Sequence, residues 1–312
     1  IASNSLKMIS DLKPELTKSL EFGTEWRFFN NRLGFDITYY KTNTINQLVK
    51  VSTPSGSGFS TAYINAGNIQ NKGFELVLTG KPIAGRDFNW DVTFNYANNK
   101  NKIIELYPGS TRLVLASNSN VRTAVPVVSE GGSYGDLYGY KWQRLNGKFV
   151  VSDKGTPVSG TTLEKVGNFN PDFTLSMGNT FSYKNWSLGV LVDGRFGGEI
   201  TSGSASQTAY AGTAAITSQY RDANSLTLDA VTADGSKNVT STNAELFWQT
   251  VAQGDYGWAE FFTFDATNVR VRELSLGFEF KKLPAVFKAA KLSLVARNLF
   301  FLYRGSTLLD IP

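Results

Sequence analysis

Cysteine and histidine are both absent from this 312-residue chain, and each absence closes off functions. Without histidine there is no Ser-His triad, no imidazole general base and no zinc site of the familiar kinds. A thiol-free chain also fits an oxidising compartment, where stray thiols are a liability. Long apolar runs are missing too: no stretch approaches the roughly eighteen residues of a transmembrane helix. Nor is there a basic run. Net charge is +5 and the isoelectric point is near 9.2, but the Lys and Arg residues are scattered among aromatics and carboxylates. That pattern argues against nucleic acid and fits a solvated surface beside anionic lipid headgroups. Ile1-Ala2-Ser3 has no start Met, basic n-region or apolar h-region, so it does not read as a signal peptide. Either the mature protein begins there or the chain is a piece of a longer one.

What the sequence does have is aromatics, turns and alternation. It holds 22 Phe, 13 Tyr, 6 Trp and 29 Gly, the composition of an all-β protein. Leu20, Phe22, Thr24, Trp26 and Phe28 alternate with Ser19, Glu21, Gly23, Glu25 and Arg27. Phe88, Trp90, Val92, Phe94 and Tyr96 repeat the pattern, as do Phe173, Leu175, Met177, Phe181 and Tyr183. Successive strand side chains point to opposite faces, so each run has one apolar and one wet face. Runs of about ten residues match a tilted strand crossing a bilayer. A mean hydropathy of −0.19 does not oppose this, because only alternate residues would face lipid. The expected fold is all-β, an antiparallel transmembrane β-barrel wall.

About nine long strands are expected, near 17–29, 32–51, 61–80, 88–102, 134–151, 172–183, 186–197, 260–280 and 291–303. Short turns fall at 30–31, 82–87 and 184–185, with a modest segment at 281–290; long connections fall near 52–60, 103–133 and 198–259. Outer-membrane barrels sort their connections in this way, with short periplasmic turns and long external loops. Trp26, Phe28, Phe88, Trp90, Tyr183 and Trp186 all sit at the short-turn end, as an interfacial girdle would. One strand resists. The parity that turns Leu274, Leu276, Phe278 and Phe280 to lipid also carries Arg270 and Arg272 there. Either a bulge flips the parity, or these two lie above the hydrocarbon. The segment 199–243, with Asp222, Asp229 and Asp234, reads as an external loop whose acidic spacing does not match an EF-hand calcium site.

Several segments resemble those of the SusC/RagA-type TonB-dependent outer-membrane transporters. Leu12-Lys13-Pro14-Glu15 precedes Ser19-Leu20-Glu21-Phe22-Gly23, and Asn65-Ala66-Gly67 precedes Asn71-Lys72-Gly73-Phe74-Glu75. Asn168-Phe169-Asn170-Pro171-Asp172-Phe173 and Asp193-Gly194-Arg195-Phe196-Gly197-Gly198 follow. Val269-Arg270-Val271-Arg272-Glu273-Leu274 and Ala296-Arg297-Asn298-Leu299-Phe300 complete the ordered set. The resemblance implies part of a roughly 22-stranded barrel, with the plug domain and closing strand outside residues 1–312. It also implies a Gram-negative outer membrane of the Bacteroidetes type, with no enzyme activity and no cofactor. The implied function is energy-coupled import of an oligosaccharide or peptide with a SusD-like lipoprotein lid. TonB would engage a part of the protein not present here.

Charged residues on the wet parity, Glu21, Glu25, Arg27, Asp36, Glu75 and Asp91, are candidates to hold a plug or line a passage. Tyr134, Tyr138, Tyr140 and Trp142, and likewise Trp248, Tyr256 and Trp258, are candidates for ligand or lid contact, with loop packing as the plainer reading. Gly131-Gly132-Ser133-Tyr134-Gly135 has no helix pattern after it and is not a phosphate loop. Carboxylates such as Asp222 and Asp229 have nothing beside them to support a glycosidase. The alternatives are a passive porin or structural barrel, and a soluble carbohydrate-binding β-sandwich.

Overall fold

A computed structural model describes residues 6–8, 12–52, 59, 61–106, 110–115, 124–221, 225–252, 258–280, 287 and 289–306. Eight long strands build one antiparallel sheet: β1 (Leu16–Phe28), β2 (Leu33–Ser52), β3 (Thr61–Ala84), β4 (Phe88–Glu105), β5 (Phe173–Tyr183), β6 (Trp186–Phe196), β7 (Asn268–Phe280) and β8 (Ala290–Arg304). Each pairs with its neighbour in sequence, so the sheet is a meander. Its ninth member is Leu6–Met8, parallel to β3 at Thr61–Tyr63. The tight turns use residues that tolerate positive φ: Asn30 at 56°, Asn31 at 64° and Lys184 at 53°.

Register fixes two faces. Phe22, Tyr39 and Phe74 are cross-strand partners on one side, while Glu25 and Asp36 pair on the other. The apolar side stays uncovered: Phe22, Trp26, Leu276 and Leu294 are all exposed. A β-sandwich would bury that face under a second sheet, and among the described residues none lies on it, so the sandwich alternative fails. The short-turn girdle is present, with Trp26 stacked near Phe28 and Phe35, Trp90 on Phe181, and Trp186 against Phe278. A second aromatic row, which the sequence reading did not separate out, crosses the far end of the apolar face. There Phe74, Tyr96, Phe173 and Phe196 succeed one another at centroid distances of 6.3, 5.6 and 4.8 Å. Two girdles bounding an apolar band are the pattern of a barrel wall.

On the polar side, Gly73 lies under the Tyr40 ring, and any Cβ there would strike the ring and the Asn98 carbonyl. The Asn71-Lys72-Gly73 segment thus makes room for a buttress between β2 and β4.

A bulge settles Arg270 and Arg272. Leu191 pairs with Glu273 but Val192 pairs with Val271, so Arg272 is an extra residue in β7. The parity flips there: Leu274 and Leu276 stay on the apolar face, Val269 and Val271 rejoin it, and Arg270 turns to the polar face opposite Asp193. Arg270 Nε bonds Asp193 Oδ1 at 2.9 Å and Arg272 Nε approaches Asp193 Oδ2 at 3.4 Å. β8 bulges in answer: Asn298 adopts φ 52°, and its Oδ1 accepts from Arg272 Nη1 at 2.9 Å. The two last motif segments are therefore a matched pair of irregularities.

The long connections between β4 and β5 and between β6 and β7 fold into a cap. Here the expected strand at 134–151 is corrected. Its alternation is broken into Asp136–Gly139, Arg144–Leu145 and Lys148–Phe149, separated by a turn with Asn146 and Gly147 at positive φ. The expected strand at 260–280 begins instead with a helical turn, Ala259–Phe262, and a short strand, Thr263–Asp265, before β7. The presumed loop at 199–243 contains helix α1 (Gly203–Tyr210), capped by Ser202. Helix α2 (Ala244–Val251) follows, capped by the Asn243 side chain accepting from Leu246 N. The cap core joins Trp142, Val151, Ala230, Val251 and Trp258 with Phe149, Phe247 and Phe261 packed around them.

Candidate functional site

The polar face of the wall gathers the charged residues singled out from the sequence. Register brings Glu21, Glu25, Arg27, Asp36, Glu75 and Asp91 to that one face. Arg27 pairs with Glu25 at 2.5 Å and donates to Thr79 Oγ1 at 3.2 Å; Lys81 approaches Asp91 at 3.7 Å. The other end of the sheet carries arginines on the same face, with Arg270 opposite Asp193 and Arg297 bonded to Glu273 at 2.9 Å. The face thus runs from carboxylate-rich at β1–β3 to arginine-rich at β6–β8.

Of the aromatic candidates, the structure buries Trp142 and Trp258 in the cap core, Trp142 donating its indole N–H to the Val150 carbonyl at 2.6 Å. Their place there is packing. Tyr138 is part-buried beneath the Arg112 guanidinium, 4.4 Å from its ring centre. Tyr140 is part-buried, and Tyr134 is exposed at the rim with its N–H held by Asn101 Oδ1 at 2.7 Å. Trp248 is half-buried and lines a groove of about 390 Å³ between α1 and α2, with Tyr210, Arg221 and Gln249. Tyr256 and Asp222 lie outside the described residues. Asp234 closes a local turn: hydrogen bonds from the Thr232 hydroxyl, and then from Ser236, hold its carboxyl below the usual carboxylate value.

Between the cap and the long-connection ends of β4, β5 and β6 lies a cleft of about 1210 Å³. Its walls are amides and charges: Asn98, Asn99, Asn101, Asn168 and Asn170, with Lys100, Lys141 and Lys165 facing Asp172, Glu199, Glu260 and Asp265. No acid–base pair with an activated nucleophile is built there; the lining suits a polar, multiply hydrogen-bonded ligand.

A network that the sequence reading missed fastens the cap beside this cleft. Asp136 is 1% exposed and takes Lys165 Nζ at 2.6 Å, Asn168 Nδ2 at 2.6 Å and Ser133 N at 3.1 Å. Asn168 Oδ1 accepts from Asn170 N at 2.7 Å, and Asn101 donates to Asn71 Oδ1 at 3.0 Å. The Asn168–Phe173 motif is thus a latch between cap and wall.

Comparison with known proteins agrees with this architecture. The family model described as TonB dependent receptor-like, beta-barrel, matches residues 3–269. TonB-dependent receptor P3 of Formosa agariphila is 28% identical over 211 residues, which is 61% of this chain and 21% of that protein. TonB-dependent receptor SusC of Bacteroides thetaiotaomicron is 29% identical over 188 residues, 58% of this chain and 18% of that protein. The chain therefore spans about a fifth of the length of these relatives. A solved structure of the RagAB peptide importer in its open-open state superposes with a TM-score of 0.64 over 94% of this chain and 32% of that one, at 21% identity. At that identity the likeness is one of fold.

Proposed function

Because this chain belongs to the family of TonB-dependent receptor-like β-barrels, we propose that it supplies part of the wall and outer cap of an active importer in a Bacteroidetes-type outer membrane. The observation that carries the reading is a membrane-type wall whose other face is charged and whose rim holds a capped polar cleft. In this reading the carboxylate-rich face at β1–β3 and the arginine-rich face at β6–β8 contact a plug domain or line the passage. The cleft and the Trp248 groove lie on the side that a SusD-like lipoprotein would cover. An oligosaccharide or a peptide both fit a lining of amides and mixed charges, and the name of one structural neighbour, a peptide importer, favours the peptide.

The test is uptake by cells carrying the intact gene, with and without a functional TonB system. Active import predicts that uptake of the cognate oligosaccharide or peptide collapses to background without TonB. It also predicts a surface lipoprotein co-purifying in mild detergent. Uptake indifferent to TonB would replace this reading with a passive porin.

A further inference from the structure

The apolar face carries an unexplained band of cations. Lys18, Lys41, Lys72, Lys100 and Lys102 sit on the same parity as Phe22, Tyr39, Phe74 and Tyr96. Lys41, Lys72 and Lys100 are direct cross-strand partners in one row, where like charges repel. All five are exposed, and none is in an ion pair among the described residues. Across β1 to β4 that parity holds no Asp or Glu in the register from Leu20 to Lys100. Carboxylates of this region instead lie on the other face, where Glu21, Glu25, Asp36 and Glu75 sit.

Depth says what meets this band. From the short-turn rows at Leu33, Gly80 and Trp90 up to the lysine row is about eight to ten residues, or about 27–34 Å along the strands. At the usual strand tilt that is about 21–26 Å along the membrane normal, the height of one hydrocarbon band. The second aromatic row lies just beneath the lysines, at the level where rings prefer the interface. The lysines therefore stand at headgroup level beyond the hydrocarbon, at the long-connection end.

We propose that Lys18, Lys41, Lys72, Lys100 and Lys102 form a docking band for the phosphate groups of outer-leaflet lipid. A mutually repelling row of cations on a lipid-facing wall is stabilised by anionic headgroups, and free ammonium groups on flexible stems suit phosphate as point charges. This inference rests on the reading of the sheet as an outer-membrane wall.

The experiment uses the protein as purified from outer membranes, placed in phosphatidylcholine nanodiscs doped with lipid A. Retained lipid A is counted by mass spectrometry. Phosphorylated lipid A should be enriched over the same lipid treated with phosphatase, on the order of tenfold and falling with added salt. Replacing Lys41, Lys72 and Lys100 by Gln should remove the enrichment. A control replacing the cap residues Lys148, Lys154 and Lys237 by Gln, with the same change in net charge, should keep it. Equal retention of the two lipid A forms, or enrichment unchanged in the Lys41/Lys72/Lys100 variant, overturns the proposal while leaving the wall reading intact. Loss of enrichment in the cap control overturns it too. So does inorganic phosphate displacing the lipid at low millimolar concentration, which would mark a free-anion site. Failure of the protein to enter discs at all overturns both readings.

Discussion

Deleting Arg272 should cost the folded wall several times what replacing it with alanine costs. The residue is the extra one in β7, and its presence alone restores the parity between Leu274 and Val271. With the bulge deleted, continuous pairing sends Arg270 to the apolar face at mid-depth and turns Val269 and Val271 to the wet one. A lipid-facing Arg at mid-depth costs about 2–4 kcal/mol, and two valines losing apolar contact bring the total to about 4–6 kcal/mol. Asp193 also loses its 2.9 Å partner. Arg272→Ala keeps the backbone count and forfeits only the bond to Asn298 and the longer contact to Asp193, both half-exposed, for about 1 kcal/mol. Urea unfolding of the protein in lipid vesicles, followed by heat-modifiable electrophoresis, separates the two. Equal midpoints for deletion and alanine would show that the bulge does not set the parity.

That bulge also marks where the sequence stopped being readable. The wall was legible because period-2 alternation persists over many residues, and because Asn30-Asn31 and Lys184-Asn185 accept the positive φ of tight turns. A one-residue insertion leaves a much weaker trace, namely two arginines on the wrong parity. The cap was misread for a different reason. Tyr134, Tyr138, Tyr140 and Trp142 share a parity by coincidence, and a strand was expected across 134–151, although Asn146-Gly147 interrupts it. Helix α2 was announced by Asn243 as an N-cap before Ala244, Glu245 and Leu246, with Phe247 and Val251 one turn apart. Its shortness hid it among polar residues. The charged polar-face set was found because parity alone assigns it, whereas Asp136 was missed: a lone aspartate in a Gly-rich turn looks like solvated loop until the fold buries it.

Burial is why Asp136 should control the cap. Asp136→Ala leaves the Asn168 amide and the Ser133 N–H without their acceptor in a site where the carboxylate was 1% exposed. Lys165, half exposed, returns to water at little cost. Two unsatisfied donors and the lost charged hydrogen bonds come to about 3–5 kcal/mol, enough to unfasten a local unit without unfolding the wall. The Asn168 side chain ties Asp136 to the Asn170 backbone, so the loss propagates into the segment that enters β5. The expected result is rapid protease cleavage within 136–168 while β1–β8 keep the heat-modifiable mobility of a folded barrel. Asp136→Asn, which retains an acceptor but not the charge, should fall between, at about 1–2 kcal/mol. Cleavage no faster than wild type in the alanine variant would mean that the aromatic core around Trp142 and Trp258 holds the cap by itself. Simultaneous loss of barrel mobility would instead mean that cap and wall unfold as one unit, and that the Asn168–Phe173 latch belongs to the barrel's own stability.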